Sequence, residues 1–492
     1  MRRVAIAFLF AWARVAGAQT LSNQPYSWSN SLNAVPAPVT PSVTTPQPAT
    51  VVPNTWAPAD PYAPPPPAAP TAPFKPIIPA TTHDVMSPAL RRPSVTTPNT
   101  VAGVAQPKAL PATSTAAGAL AGATAERLTR VYYVDRGGSD ANTGGYGQAL
   151  RSLQRGADLA QPGDTVVVND GVYEGFRAVR SGTRTAPITF RAAGLSAEIV
   201  APAGQSSKDN VSIENVDFVV FEGFKVHGAP RAGIAVIKAR GVIVRNCVVG
   251  PNQKWGIFTG FTPEVQILDC KAFGSAGEHG IYVSNSGVPD DNPVLRGNEC
   301  FNNAMNGLQI NGDCGAGGDG VIAGALIENN VVHGNGLKGL SLISMQNSVV
   351  QNNLIYENGR GGGAGGIHLS DQPDCKKPSD GNTIVNNTIV EPRITGLRIG
   401  NNSQNNIVFN NLIVSPEPIQ DDGGNQVDAA SNMTNESAAG VFANTATGNY
   451  RPAAASRAHG SGRSEFAGRT APRRDMAGQL RAFSAVSVGA YD

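Results

Sequence analysis

Between Phe218 and Val414 one short pattern of apolar and polar positions keeps returning: apolar, any residue, a small polar pair, any residue, apolar. It reads VIVRNCVV early, and ALIENNVV, SVVQNNLI, NTIVNNTI and NIVFNNLI later. Taking the second residue of each pair as register gives Phe224, Cys247, Cys270, Asn298, Asn330, Asn353, Asn387 and Asn411, spaced 23, 23, 28, 32, 23, 34 and 24 residues apart. Three residues earlier stand Phe221, Val244, Ile267, Leu295, Ile327, Val350, Ile384 and Val408; two later stand Val226, Val249, Ala272, Cys300, Val332, Ile355, Ile389 and Ile413. All are apolar or Cys. A second signature follows, a Gly before two mostly apolar residues that flank a variable one, beginning at Gly233, Gly256, Gly280, Gly307, Gly339, Gly366 and Gly396.

A period of this length marks stacked units that cannot bury their cores alone, and the period-two alternation within each unit makes its pieces strands. A coil of ~23 residues with three short strands and tight turns is one turn of a parallel β-helix. The predicted fold is therefore all-β: a right-handed, single-stranded parallel β-helix solenoid, the hand following the rule for parallel crossovers. Asn298 to Asn411 should form a ladder of amides in a turn.

Before the solenoid, Met1 to Ala18 has a charged start, a short apolar run and a small-residue cleavage site, which predicts a signal peptide. Residues 19–126 are rich in Pro, Ala and Thr, with 21 of the 37 prolines between Pro36 and Pro111, and predict a disordered linker. The domain expected from 127 to 492 has regular coils over about 164–414 and an irregular C-terminal cap over 415–492. Leu150, Leu153, Ala157 and Ala160 fall on one face of a short helix, which would cap the first open coil.

Tyr132-Tyr-Val, Gly138-Ser-Asp-x-Asn-x-Gly, then Ala157-Asp-Leu-Ala-x-Pro-Gly-Asp-Thr-Val and Gly171-Val-Tyr resemble the opening of secreted right-handed parallel β-helix proteins of pectin-lyase-like fold. These include polysaccharide lyases and uncharacterised relatives. The close, Asp475, Gly478, Arg481 and Val488-Gly-Ala-Tyr491, is similar to their ending. The resemblance spans about Arg130 to Asp492 and implies an exported polysaccharide-active protein, secreted, periplasmic or at the cell surface. A lyase acting on uronic-acid polymers is the first reading. A non-catalytic carbohydrate-binding or cell-surface structural module is the alternative, and a uronate C5-epimerase a second. The Asp-Pro-His-Asp motif of mannuronan epimerases is not present.

A net charge of +2, with 15% charged residues, argues against nucleic acid as partner. The expected partner is a polysaccharide, acidic in character, bound by a monomer without a transmembrane segment after signal cleavage.

Unequal coil lengths locate the candidate site. The extra residues of three coils fall at Ser284–Asn292, Asn311–Gly320 and Asp371–Gly381, loops on one edge that would wall a groove. The strand beside that edge points Phe258, Tyr282, Gln309, Ser341, His368 and Arg398 outward, with Trp255, Glu278, His279, Asn306, Asn311 and Lys338 alongside. Trp255, Phe258, Glu278, Asn306, Gln309, Asn311 and Arg398 suit contacts to sugar rings and hydroxyls, although the same residue types make ordinary wetted sheet faces. Abstraction of a uronate C5 proton needs a base, a cation against the carboxylate and an acid for the leaving oxygen. His279 or His368 is the candidate base, Lys338 the cation and Tyr282 the acid. Calcium, bound by Asp290, Asp291, Asp313, Asp319, Asp371 or Asp374, is compatible with the loops but not required by the sequence.

Five cysteines remain. Cys247, Cys270 and Cys300 take inward positions and are expected as buried ladder members; Cys314 and Cys375 lie in two loops of one edge and are expected as a disulfide.

Overall fold

The computed structural model describes residues 128–492 except 203, 205, 206, 285–290, 364, 373, 375 and 401. The expected signal peptide and the linker lie outside the described residues.

Three long parallel sheets run side by side down the solenoid, each coil giving one strand to each in turn. The first has twelve strands, from Val131–Val134 to Gln426–Val427. The second has ten, from Gly171–Glu174 to Leu412–Val414, and the third ten, from Phe176–Ala178 to Ile419–Asp421. The register is the one the apolar positions predict. Phe221, Val244, Ile267, Leu295, Ile327, Val350, Ile384 and Val408 pair successively in the first sheet. Val226 to Ile413 do the same in the second. Every member of both rows is buried, so the side chains stack inside the coil as continuous files.

The small polar pair has two separate jobs. Its first residue makes the bend between the first and second sheets, and Asn246, Asp269, Asn329, Asn352, Asn386 and Asn410 all have φ of 52–56° there. Asn and Asp tolerate this left-handed conformation better than other side-chain-bearing residues. Its second residue turns inward. From Asn298 through Asn330, Asn353, Asn387 and Asn411 to Asn432, each Oδ1 accepts both the backbone N–H and the amide of the preceding member.

Two further ladders occupy the other corners. Asn303, Asn335 and Asn358 continue to Glu391 between the second and third sheets. Ser348, Asn382, Asn406 and Asn425 run between the third and the first. Buried polar groups in each corner are thus satisfied by the next coil.

The glycines of the second signature are set by close approach. A Cβ on Gly256 would lie 2.5 Å from the carbonyl oxygen of Gly280, and one on Gly280 2.8 Å from that of Gly307.

The capping helix, Leu153–Leu159, is N-capped by Ser152, whose hydroxyl accepts from the Arg155 N–H. It buries Leu153, Gly156 and Ala157 over the first coil. At the other end the solenoid runs one partial coil past the predicted limit, through Ile419–Asp421 and Gln426–Val427. The last residues then fold back along the second sheet, packing Val441, Phe442, Tyr450 and Val488 on Leu354 and Leu412.

Cys247, Cys270 and Cys300 are free and buried, and burial pushes the Cys270 and Cys300 thiols up. Cys314 is disulfide-bonded; Cys375, its expected partner, lies outside the described residues. Among the described residues, no helix is long and apolar enough to cross a membrane.

Candidate functional site

The outward positions of the third sheet form one straight file. Ala235, Phe258, Tyr282, Gln309, Ser341, His368, Arg398 and Gln420 are successive register partners. A second file lies beside it, where the carbonyls of His279, Asn306 and Lys338 accept from Gly256, Gly280 and Gly307. Coils lie ~4.8 Å apart, so Phe258 and Arg398, five coils apart, are separated by ~24 Å along the face. The loops beyond Asn311 and Ser370 touch, with Gln372 Nε2 3.4 Å from Asp313 Oδ1. They follow the third-sheet strands Leu308–Asn311 and Ile367–Ser370; of the other expected loop, residues 285–290 lie outside the described residues.

The face changes character along its length. At one end Trp255 and Phe258 stack with centroids 4.5 Å apart, and Tyr282 is tilted against both. Trp255 also carries the Lys254 ammonium 4.3 Å above its ring, and its Nε1 donates to Glu278 at 2.8 Å. Only 5% of it is exposed. The indole is a support for Phe258 and has no open face for a sugar, which corrects its expected role. Glu278 is held by Lys254 at 3.1 Å and by that indole.

The middle is a chain of amides. His279 Nδ1 accepts the Asn306 N–H at 3.2 Å, Asn306 Oδ1 accepts the Lys338 N–H at 3.0 Å, and Asn306 Nδ2 donates to Gln309 at 2.6 Å. Asn311 Nδ2 meets the Tyr282 hydroxyl at 3.3 Å. His279 is buried, and burial with the Lys338 and Lys254 charges pulls its pKa down to about 3. Because Nδ1 is already an acceptor, Nε2 carries the proton and points toward Glu278, 3.6 Å away. No lone pair remains for a substrate proton, so the role of His279 as base is not supported. Tyr282 is likewise displaced from its expected role. It stands two coils, ~10 Å, from the Lys338 coil, too far to protonate an oxygen leaving the sugar on which Lys338 acts.

The other end is cationic. Lys338, His368 and Arg398 lie within electrostatic reach of one another, and Arg398 donates to Gln420 at 2.6 Å. Among the described residues none of the three forms an ion pair; the carboxylate nearby is that of Asp422, whose Oδ2 would lie 3.1 Å, and Arg398 Nε 3.4 Å, from a Cβ on Gly400. Burial and the Arg398 charge draw Lys338 down to about 8. Burial, with Lys338 and Arg398, draws His368 down to about 3, leaving it neutral near pH 7. The Nδ1 of His368 and the Oγ of Ser341, its register partner, are buried without a hydrogen-bond partner. The sequence register places Ser341 on this file but assigns it no role, because a serine in an outward position carries no mark of function.

Among the described residues no three His, Cys, Asp or Glu side chains converge. Asp291 is spent on the Ala323 N–H at 3.0 Å, and Asp290 lies outside the described residues.

The outer face of the second sheet also carries rings, but Phe273, Phe301, His333 and Tyr356 are stacked parallel within 6°. Their faces are used on each other.

The family model described as "Right handed beta helix region" matches residues 202–318 and 264–438. Among solved structures, pectate lyase Pel9A is similar at 16% identity over 74% of this chain and 96% of its own, with a TM-score of 0.55. An alginate lyase from Paenibacillus sp. str. FPU-7 is similar at 19% over 62% and 98%, TM-score 0.44, and a rhamnogalacturonan lyase at 16% over 64% and 91%, TM-score 0.45. At these identities the likeness is one of fold. No curated protein matches the sequence.

Proposed function

We propose that this right-handed parallel β-helix protein binds an acidic, uronate-containing polysaccharide along the third sheet and cleaves it by β-elimination outside the cytoplasm. The observation that carries this reading is the row Lys338, His368 and Arg398. It is three cation-capable groups on two adjoining files, Lys338 on one and His368 and Arg398 on the other, none of them in an ion pair among the described residues, beside the unpartnered Ser341 Oγ and His368 Nδ1. Gathering like charges on a half-buried face is costly unless an anion compensates them, and a uronate carboxylate does so.

In this reading Arg398 faces the carboxylate and delocalises the charge that develops when C5 loses its proton. Lys338, drawn down to about 8, is the base, since its neutral amine is well populated near that pH and matches the demand for a base near the working pH. The electron pair of the C5–H bond forms the C4–C5 double bond, and the C4–O4 bond breaks. The departing oxygen takes a proton from the ammonium Lys338 has become. His368, neutral near pH 7, meets a sugar hydroxyl through Nε2, the ring nitrogen that is not enclosed. Phe258, Gln309 and Asn311 line the remainder of the groove.

The test is incubation with a panel of uronate polymers while following the ultraviolet absorbance of the unsaturated product, for the wild type and for Lys338→Arg. Absorbance that grows with wild type and is lost with the variant is expected. Tight binding of a uronate polymer without product in either would move the reading to the non-catalytic module, which the inward commitments of His279 and Tyr282 would suit. Product with its bond order unchanged but stereochemistry inverted would make it an epimerase.

A further inference from the structure

The seven coils from Ala235 to Arg398 carry two kinds of surface, and a homopolymer does not match both. At the Phe258 end the outward side chains are Ala232, Ala235, Ile237, Phe258 and Tyr282, an apolar cluster in which Ile237 and Phe258 remain partly exposed. The charges around it are already paired: Lys254 with Glu278 at 3.1 Å, and Arg231 with Asp209. At the other end, three coils from Phe258 to Ser341 and five to Arg398, or ~14 to ~24 Å, lie Lys338 and Arg398, neither of them in an ion pair among the described residues. A polymer with a carboxylate on every sugar would place at least one over Phe258 and Ile237, where it would lose water and gain no partner.

We infer that the substrate is a heteropolysaccharide in which a uronate on the cation row is followed, a few sugars along, by a unit carrying a methyl group that seats on Phe258 and Ile237. Either a 6-deoxy sugar or an O-acetylated sugar supplies that methyl. This rests on the uronate reading above and adds to it a requirement along the chain: the groove reads two chemistries at a set distance. Burial of one methyl in such a seat is worth a discrimination of about tenfold or more.

The test uses the full chain at pH 6, where Lys338 is protonated and turnover is suppressed. Dissociation constants are measured for three probes of equal length: oligogalacturonate, the same oligomer chemically O-acetylated, and an oligomer alternating uronate with a 6-deoxyhexose. Wild type is expected to hold one or both methyl-bearing probes about tenfold tighter than the plain oligomer. Preference for the acetylated probe alone assigns the ester, for the alternating probe alone the deoxy sugar, and for both the methyl itself. In Phe258→Ser and in Ile237→Ser the ratio is expected to fall toward one. Melting curves, read alongside, report whether either variant has lost its fold. Equal affinity of wild type for all three, or a ratio unmoved in both folded variants, overturns the inference while leaving the uronate reading in place. Failure to bind any of the three overturns both.

Discussion

Asn353 Oδ1 accepts two hydrogen bonds from Asn330, one from its backbone N–H at 3.0 Å and one from its amide Nδ2 at 2.9 Å. Asn353 repeats the arrangement toward Asn387 and also donates to the Ile327 carbonyl at 2.9 Å. One fully buried side chain therefore satisfies groups belonging to three coils. Asn353→Ala strands the Asn330 donors and the Ile327 carbonyl, at about 1–3 kcal/mol for a buried group left unmade. The expected result is a clearly lowered unfolding midpoint in urea; a midpoint equal to wild type would contradict the ladder.

Much of this was legible from position alone, because the period-two alternation fixes which residues face in and the coil length fixes which of them stack. The other two ladders were legible too but went unread. Asn303, Asn335 and Asn358 stand five residues after Asn298, Asn330 and Asn353, while Ser348, Asn382 and Asn406 stand five before Asn353, Asn387 and Asn411. The run breaks at Glu391, four residues after Asn387, which hides it from a search for repeated asparagine. The site was less legible for a different reason. Sequence register put Trp255, His279 and Tyr282 on the right face, but it does not say where a lone pair or a ring face points. Those are settled by the Asn306 N–H at His279 Nδ1 and by Phe258 and Lys254 at the indole.

Glu391 ends its ladder as an acceptor only, taking the Asn358 amide at 2.7 Å and the Asn358 N–H at 2.8 Å. Burial raises its pKa from 4.5 to about 7. Between these values the folded chain keeps a proton that the unfolded chain releases, so its contribution is intact below about pH 4.5 and is lost as pH rises through about 7. Glu391→Gln removes that loss. Melts at pH 8 are expected to place the variant above wild type, by roughly 1–3 kcal/mol, with the difference closing near pH 4.5. A variant less stable than wild type at pH 8 would show that Glu391 is ionised at no cost.

Lys338 gives opposite pH signs to binding and to turnover. As the pH passes about 8 the ammonium is lost, so affinity for a uronate oligomer should weaken while turnover at saturation rises. Lys338→Arg should keep binding within a few-fold and cost turnover about a hundredfold or more. Its depressed pKa also opposes folding below about pH 8, a penalty that fades between about 8 and the ordinary lysine value of 10.5. Parallel weakening of binding and turnover above pH 8 would make Lys338 a charge partner and not the base.

Gly280→Ala tests the inner packing. Its Cβ would meet the Gly307 carbonyl oxygen at 2.8 Å and the Asn303 amide at 2.6 Å, both fixed by the coil. Overpacking of this sort costs about 1–3 kcal/mol, and the expected reading is a lowered thermal midpoint. An unchanged midpoint would mean that neighbouring coils can spread.

Because each coil's strands bond only to the coils directly before and after it, the molecule is modular in length. Phe224–Gly250 and Cys247–Gly274 present the same inner file and the same bend to their neighbours. Removing or duplicating one 23-residue unit there, from one register residue to the next, would leave every ladder joined and shift everything beyond it by ~4.8 Å. Such a change alters the apolar end of the face, which carries Ile237 and Phe258, and leaves Lys338, His368 and Arg398 as they are, so this architecture can gain or shed reach by recombination alone.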